Sequence, residues 1–327
     1  MKKIIIILSV FAAFGALGFS DALGLSAAAQ SVSRTFPDSR IVRDPMTAGL
    51  AGAGTSLASA YASWNNAAAA ALMDEKLLSG VSYQLWQPTG LCNSNISLGG
   101  AMRVGKRYAI TAGATLEFGP KIPAYTDNGV PDGYLQNNQQ HYNFGAAIKV
   151  YESDAVGAFS IGANGHYLRE PLTPRSRNWA WAVDGYVQYR YKALGVALGM
   201  QTFGGAYEYG SSLNKSNVPY TDNKLPTVLK LAADYTFVFG EDHSILTVVD
   251  LNLERNWTFG FAGGVQYGFR DMVFARVGYN LAARTAAWPS YLSAGLGGKY
   301  KGFRLDVAYI ATSVLGNSFT VGLGYSF

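Results

Sequence analysis

The sequence predicts an all-β transmembrane fold, a 14-stranded antiparallel outer-membrane β-barrel with a short, partly helical N-terminal plug. Three observations predict it. Apolar and polar residues alternate through most of the chain, the connections between alternating segments are short and long in turn, and an alanine- and glycine-rich stretch without alternation precedes them. The composition agrees with this class, because 38 glycines and 21 tyrosines accompany only 14% charged residues.

The alternating segments begin at Leu78 and continue to the last residue. Successive side chains of a strand point to opposite faces, so this pattern suits a wall between lipid and a polar interior. Each segment is long enough to cross a bilayer at a tilt. The predicted strands are 78–87, 95–104, 107–118, 140–151, 155–168, 179–191, 193–203, 226–239, 243–253, 256–269, 272–281, 288–299, 302–311 and 317–327.

The last predicted strand has the strictest alternation. Phe319, Val321, Leu323, Tyr325 and Phe327 share one face, and small or polar residues occupy the other. An exposed apolar strand edge invites aggregation in a soluble protein, whereas a strand that closes a barrel has no free edge. The terminal aromatic residues Tyr325 and Phe327 also resemble the signal that outer-membrane barrels present to the barrel-assembly machinery.

The connections predict the orientation of the barrel. Every second connection is short and polar, as at Gly105-Lys106 and Arg270-Asp271, whereas 119–139 and 204–225 are long. Short periplasmic turns and long outer loops are typical of outer-membrane barrels, and an even strand number then places both termini of the mature chain in the periplasm. A soluble β-sandwich remains the alternative, although it would not need this asymmetry.

The N-terminus fits a secretory signal peptide. Lys2 and Lys3 precede an apolar stretch, and Ala27-Ala28-Ala29 offers a small-residue cleavage site. A transmembrane anchor is disfavoured because Ser20 and Asp21 interrupt the apolar run. Cys92 is the sole cysteine, so no disulfide forms within the chain. The predicted parts are a signal peptide at 1–29, a periplasmic or plug segment at 30–77 and the barrel at 78–327.

Charged residues recur on the predicted inner faces of the strands. Both signs are present, so mutual neutralisation inside a water-accessible barrel is the simpler interpretation and a path for charged solutes is the alternative. An arginine facing lipid instead would cost about 2–4 kcal/mol near the midplane. The predicted lumen charges are Arg103, Glu117, Lys149, Asp184, Arg190, Lys230, Asp234, Asp250, Arg276, Arg304 and Asp306.

Neither nucleic-acid binding nor catalysis is expected. The net charge of +5 is spread along the chain without a basic run, and this excludes the usual electrostatic footprint of nucleic-acid binding. The three histidines His141, His166 and His243 are predicted at opposite ends of the barrel, too dispersed to form one metal site. His166 with Asn164 is a weak hint of catalysis, since no orienting partner is evident. No cofactor is expected.

The stretch 43–73 differs from the rest of the chain. Small residues dominate it, so short helices and tight turns that pack closely against a barrel wall are expected, inside or under the barrel. Gly49, Gly52 and Gly54 do not match a phosphate-binding loop, because no strand clearly precedes them and no lysine follows. Close packing is the better interpretation of these glycines.

One part of this stretch carries a family resemblance. The motif comprises Asp44-Pro45, Ala48-Gly49, Ala51-Gly52-Ala53-Gly54 and Trp64-Asn65-Asn66-Ala67. It resembles the N-terminal region of PorV/PorQ-type outer-membrane proteins of Bacteroidetes, within the wider FadL-like barrels. Many members have Asn-Pro-Ala where this chain has Asn65-Asn66-Ala67. The resemblance implies fourteen strands and an N-terminal plug.

The resemblance also implies two functions. PorV-type members bind cargo of the type IX secretion system, which implies secretion components or secreted proteins as partners at the outer loops. FadL-type members carry hydrophobic molecules through a lateral opening, which implies an apolar ligand, a pocket beside the plug and a weakened wall strand. Gly204-Gly205 and Gly263-Gly264 are candidate weak points. Outer-membrane lipid and lipopolysaccharide are expected neighbours in both cases, and secretion is the favoured function.

Overall fold

We describe the protein from a computed structural model. The predicted signal peptide and residues 30–41 of the predicted plug segment lie outside the described residues. No helix among the described residues is long and apolar enough to cross a membrane. The described residues are 42–87, 92–126, 128–136, 138–169, 179–204, 225–254, 257–283, 289–312 and 316–327.

Fourteen antiparallel strands close into a barrel, which confirms the predicted fold class. The first strand, β1, pairs with the last strand, β16, over ten residue pairs from Leu78–Ser326 to Gln87–Asn317, and every other barrel strand pairs with its neighbours in the chain. The barrel strands are β1 (Leu77–Gln87), β2 (Asn93–Val104), β3 (Tyr108–Phe118), β6 (Gln140–Ser153), β7 (Gly157–Arg169), β8 (Trp179–Tyr191), β9 (Leu194–Gly204), β10 (Val228–Phe239), β11 (His243–Glu254), β12 (Phe259–Phe269), β13 (Val273–Ala282), β14 (Tyr291–Tyr300), β15 (Phe303–Thr312) and β16 (Gly316–Ser326).

The two ends of the barrel differ as the sequence predicts. At one end, called here the short-turn end, tight turns join the strands. Arg270 and Asp271 both have positive φ (54° and 51°), as do Lys301 and Gly302 (49° and 83°). Positive φ at both central residues is typical of the turns that match strand twist in hairpins. The opposite end, called the long-loop end, carries the connections 119–139 and 205–227.

One of these long connections contains structure that the sequence analysis treated as loop. A two-stranded hairpin forms from β4 (Lys121–Tyr125) and β5 (Pro131–Gln136), with Ile122 paired to Leu135. The alternation in these strands is too short to be recognised, and Pro123 lies inside β4. The hairpin forms a separate two-stranded sheet that is not part of the barrel.

The barrel strands place apolar side chains outward and small or polar side chains inward. On β16, Phe319, Leu323 and Tyr325 are exposed while Ser318 and Thr320 are buried. The same alternation holds on β8, where Trp179 and Trp181 are exposed near the long-loop end. An apolar band with aromatic residues near the strand ends is the surface expected to face lipid.

Two short helices lie in the segment that precedes β1. Asp44 caps α1 (Pro45–Ala48), where proline at the first position suits the fixed φ of a helix start. Asn66 caps α2 (Ala67–Ala70) by accepting a hydrogen bond from the Ala68 amide at 2.9 Å. Residues 42–76, called the plug below, have mostly buried side chains and contact the inner wall of the barrel, as predicted.

Wall glycines allow the plug to approach the strands closely. A Cβ added to Gly99 would lie 2.5 Å from the Ala60 carbonyl oxygen, and one added to Gly162 would lie 2.5 Å from the Ala68 nitrogen. No real Cβ tolerates such distances, so these positions require glycine. Eight wall glycines lie against the plug, and we call them the glycine collar: Gly80, Gly99, Gly113, Gly162, Gly264, Gly278, Gly295 and Gly322. An added Cβ would come within 3.0 Å of a plug atom at six of them, whereas the closest plug atom would be 3.2 Å away at Gly80 and 3.1 Å away at Gly295.

Candidate functional site: the plug and its cleft

Asp44 and Pro45 fix the beginning of the plug. One carboxylate oxygen of Asp44 accepts a hydrogen bond from the Met46 amide at 2.9 Å and so caps α1. The Pro45 ring lies against the collar glycine Gly322, where an added Cβ would come within 2.6 Å. Both residues of the predicted Asp44-Pro45 motif therefore orient the chain where it enters the barrel.

The three motif glycines lie where the plug turns tightly or approaches the wall. Gly49 faces Gly295 of β14, and an added Cβ would lie 3.2 Å from its Cα. Gly52 and Gly54 have positive φ of 78° and 122°, which favours glycine there. The Ala51 amide, immediately before Gly52, donates to Ser293 at 2.8 Å. These glycines serve close approach and tight turns.

The Trp64-Asn65-Asn66-Ala67 part of the motif joins plug and wall. Asn66 is fully buried, and besides capping α2 it donates to Gln188 of β8 at 2.8 Å. Asn65 donates to the Gly54 carbonyl at 3.3 Å. The Trp64 ring covers Gly113 of the collar, and its carbonyl accepts from Gln201 at 2.7 Å. Ala67 is fully buried at the start of α2. The residues of this motif therefore pack the plug against the wall and hydrogen-bond to it.

Several lumen charges bind the plug rather than line an open path. Asp250 accepts from the Gly54 amide at 2.9 Å and from the Thr55 hydroxyl at 2.5 Å. Lys230 donates to the same hydroxyl at 3.4 Å. Arg190 donates to the Ser56 carbonyl at 2.9 Å. Side chains from three wall strands thus hold one turn of the plug.

Other lumen charges neutralise each other. Arg190 pairs with Asp234 at 3.1 Å. Across β14, Nη1 of Arg276 on β13 lies 2.7 Å from Asp306 on β15, whose other oxygen accepts from Nε of Arg304 at 2.5 Å. These arrangements favour the interpretation of the lumen charges as mutually neutralising.

Three of the four remaining predicted lumen charges lie near the rims of the barrel, and the fourth, Asp184, is described below with the histidines. Arg103 donates to the Asp74 carbonyl at 2.8 Å, and Lys149 pairs with Glu152 at 2.7 Å. Glu117 is buried near the long-loop end, where its backbone amide donates to the Gln139 carbonyl at 2.8 Å. Each lies on the inward-facing positions of its strand.

The histidine arrangement corrects the sequence analysis. His141 and His166 are not dispersed: Nε2 of His141 lies 3.2 Å from Nδ1 of His166. Nε2 of His166 lies 2.8 Å from Asp184, although the two atoms are not aligned for a hydrogen bond. On the other side, Arg43 of the plug lies 3.3 Å from Nδ1 of His141. His243 is exposed near the short-turn end, as predicted.

This buried chain of polar groups, Arg43–His141–His166–Asp184, escaped sequence reasoning because the strand register was unknown. Asp184 also accepts from the Thr202 amide at 2.6 Å. Thr202 has a φ of 58° and lies where the β8–β9 pairing shifts register between Val183 and Gly185. The chain therefore connects the plug to an irregularity in the wall.

The predicted weak points in the wall have different outcomes. The irregular pairing of β8 and β9 lies close to Gly204, which still pairs with Ala182, while Gly205 lies outside the described residues. Gly263 and Gly264 of β12 pair regularly with both neighbouring strands. Gly264 belongs to the glycine collar, so close packing explains it.

A cleft separates the plug from the wall at the short-turn end. Its volume is about 140 Å³, and plug residues 44–46 and 58–61 face the ends of β1, β15 and β16 across it. Burial, as the largest cause, raises the pKa of the Asp44 carboxyl, and the nearby Arg304 lowers it in part. Burial also raises the pKa of the Tyr61 hydroxyl, which therefore stays protonated.

Metal binding finds no support among the residues described. No group of three or more histidine, cysteine, aspartate or glutamate side chains is arranged there to hold a metal ion. Cys92 is exposed, and its thiol is free. The polar groups of the lumen instead bind the plug, the wall and each other.

Comparisons with known proteins identify the fold. No protein-family model matches the chain, and no curated protein matches its sequence. Among solved structures, the CymD monoaromatic hydrocarbon channel is 15% identical to this chain, with a TM-score of 0.57. The alignment covers 88% of this chain and 98% of the CymD chain. The Ralstonia pickettii toluene transporter TbuX is 15% identical with a TM-score of 0.53, covering 86% of this chain and 97% of its own.

A third similar structure is the P. putida toluene transporter TodX, which is 9% identical with a TM-score of 0.52 and covers 84% of this chain and 99% of its own. At such identities the likeness establishes the fold alone. The chain therefore shares the barrel fold of these three structures, with the fourteen strands that the resemblance implied. The narrower resemblance to PorV/PorQ proteins stays a prediction.

Proposed function

We propose that the protein is an outer-membrane channel that admits small apolar molecules past its plug. The observation that carries the proposal is the cleft between plug and wall, in a barrel whose middle the plug otherwise fills. An apolar cavity of about 150 Å³ accommodates benzene in another protein. A cleft of about 140 Å³ has a suitable size for one ring.

The comparisons support this proposal. CymD and TbuX are named for monoaromatic hydrocarbons and toluene, and both align with this chain over nearly their whole length. The irregular pairing of β8 and β9 provides the weakened wall that lateral exit requires. We assign the short-turn end and both termini to the periplasm, because short turns lie there in barrels of this type.

A reversible lock on the plug tests the proposal. A Cβ added to Gly80 would lie 3.3 Å from the Cβ of Ala60, close to the spacing of about 3.5–4.5 Å in disulfides. We would introduce Ala60→Cys and Gly80→Cys together with Cys92→Ser, and measure accumulation of radiolabelled toluene in cells. We expect uptake above that of cells without the protein under reducing conditions, and loss of that excess after oxidation.

The same variant under reducing conditions is the matched control, since only the covalent bond differs. Uptake that continues unchanged after complete oxidation would show that the plug need not move along β1. Uptake no faster than in cells without the protein would refute the channel function itself.

A secretion-accessory role is the second candidate, and the β4–β5 hairpin favours it. Tyr125, Val130 and Tyr134 on this hairpin are exposed, with 63%, 57% and 59% of their surface accessible. Exposed apolar and aromatic side chains are typical of protein-binding surfaces. Deleting residues 121–136 should abolish capture of type IX secretion components or cargo from the native membrane. A barrel that captures none of them even when intact would rule out this role.

A further inference from the structure

Two turns at the short-turn end contain a lysine where a smaller residue is expected. Lys192 follows Tyr191 at the end of β8, and Lys301 follows Tyr300 at the end of β14; we call these pairs the β8 site and the β14 site. Both lysines have positive φ, 53° and 49°. Glycine, asparagine or aspartate is preferred in this left-handed region of the turn, because a Cβ is crowded there. A long charged side chain at both places calls for an explanation.

Each lysine lies over a ring on the outer face of the barrel. Nζ of Lys192 lies 5.1 Å from the centre of the Tyr191 ring, and Nζ of Lys301 lies 5.3 Å from the centre of the Tyr300 ring. Both tyrosines occupy outward-facing positions of their strands. Each ammonium group is therefore held against an aromatic face at the rim, where aromatic residues meet the lipid headgroups.

Paired rings extend both sites across neighbouring strands. In the β14 site, Phe303 on β15 pairs directly with Tyr300, and the Phe303 ring lies 5.0 Å from the ring of Tyr325 on β16. In the β8 site, the ring of Tyr189 lies 4.6 Å from the ring of Phe159 on β7. Each lysine thus stands at the edge of a flat apolar surface, along which an acyl chain can pack.

A third turn shows the same geometry with its charge neutralised. Arg270 also has positive φ (54°), and its guanidinium lies 5.1 Å from the centre of the Phe269 ring. Asp242 pairs with Arg270 at 3.1 Å, and Asp271 pairs with Lys299 at 3.1 Å. The lysines of the β8 and β14 sites are exposed and form no ion pair with any residue that the structure describes. Their charges are the ones left for a partner outside the chain.

We propose that the β8 site and the β14 site each bind one anionic phospholipid, with the phosphate at the lysine and an acyl chain along the rings. A phosphate oxygen forms a charge-assisted hydrogen bond with an ammonium group. A zwitterionic headgroup brings a second ammonium, which the lysine repels, so a lipid with net negative charge is favoured. The inference concerns the outer face of the barrel and does not rest on the proposed channel function.

Native mass spectrometry of the purified full-length protein, titrated with lipid in detergent, counts the lipids that each protein binds. Phosphatidylglycerol and phosphatidylethanolamine with the same acyl chains are matched probes, because they differ only in the headgroup. We expect two molecules of phosphatidylglycerol to bind, each about fivefold more tightly than phosphatidylethanolamine, as for one lysine beside an anionic lipid.

Single substitutions separate the two sites. Lys192→Gln and Lys301→Gln each remove one ammonium and keep most of the side-chain length, so each should leave one tight site for phosphatidylglycerol. The double variant should bind both lipids with equal affinity. Lys301→Arg should retain its site, because a guanidinium group also binds phosphate. Lys121→Gln, on the exposed hairpin at the opposite end, is the control for the same loss of net charge and should leave both sites intact.

A control for the turn geometry is the double variant Asp242→Asn with Arg270→Gln, which removes the neutralised pair at unchanged net charge and should keep both tight sites. Equal affinities for the two phospholipids in the wild type would overturn the inference, because the rings alone would then account for binding. Losses in Lys192→Gln and Lys301→Gln no larger than in Lys121→Gln would also overturn it. Tighter binding of lipid A than of phosphatidylglycerol would refute a phospholipid as the occupant.

Discussion

Replacing Gly278 by alanine should unseat the plug while leaving the barrel folded. The added Cβ would lie 2.6 Å from the Ala51 nitrogen and 2.8 Å from the Leu50 Cα. Favourable separations between such atoms are about 3.5–4.0 Å, so this part of the plug must move by about 1 Å. The atoms that would clash belong to the backbone, and no side-chain rotation relieves the contact.

The displaced segment is firmly attached, which makes the movement costly. Leu50 is fully buried, the Ala51 amide donates to Ser293 at 2.8 Å, and the Ala51 carbonyl accepts from Tyr291 at 3.0 Å. Overpacking of this kind costs about 1–3 kcal/mol. At about 1.4 kcal/mol for each factor of ten, the population with a displaced plug rises about 5-fold to 150-fold.

Single-channel conductance in planar bilayers, with hydrogen exchange of plug peptides, would measure this effect. The Gly278→Ala protein should open more often and exchange faster in residues 47–54 than the wild type. Gly165→Ala is the matched control, since an added Cβ there would make only an ordinary contact, 3.8 Å from the Phe144 carbonyl oxygen. If Gly278→Ala matched the wild type in both measurements, the tight fit between collar and plug would not hold the channel closed.

Three further perturbations have defined outcomes. Asp184→Ala removes the acceptor of the Thr202 amide. Loss of this buried hydrogen bond should cost about 1–3 kcal/mol, so the amide should exchange about 5-fold to 150-fold faster. The control Asp271→Ala, at an exposed residue, should leave its exchange rate unchanged. Burial raises the pKa of Asp44, so the folded state binds a proton more tightly than the unfolded state. The plug should therefore loosen as pH rises through this pKa. Hydrogen exchange of the plug should show this pH dependence in the wild type, and Asp44→Asn should flatten it. Phe327→Ala should reduce the folded fraction in the outer membrane but leave refolding of the purified protein into detergent unchanged, as judged by heat-modifiable migration on gels.

The sequence was sufficient to predict the barrel because each strand carries its own signal. Alternation and tight turns are local properties, so the predicted strands agree with the fourteen observed ones to within a few residues at each end. The predicted strand 179–191, for example, has the same bounds as the observed β8. The β4–β5 hairpin was missed because its strands are short and Pro123 interrupts the pattern.

The site was harder to predict because it depends on contacts between distant parts of the chain. Long connections such as 170–178 do not fix the register of the strands that they join, so the distance between His166 and Asp184 was not predictable. The partners of Asp44 depend on where the plug lies against β15 and β16. Individual residues on inner faces were predictable, whereas the pairs that they form were not.

The same geometry explains why a plug rich in small residues is compatible with a channel. The glycine collar seals the middle of the barrel because it brings the wall backbone against plug backbone and side chains, and such contacts are lost over small displacements because they depend on close approach. Hydrogen bonds of Asp250 with Gly54 and of Asn66 with Gln188 anchor the plug to β11 and β8, opposite the cleft bordered by β1, β15 and β16. A ligand that occupies the cleft therefore acts on the plug from the side opposite these two anchors. The cleft side is where we expect the plug to move first when a molecule passes.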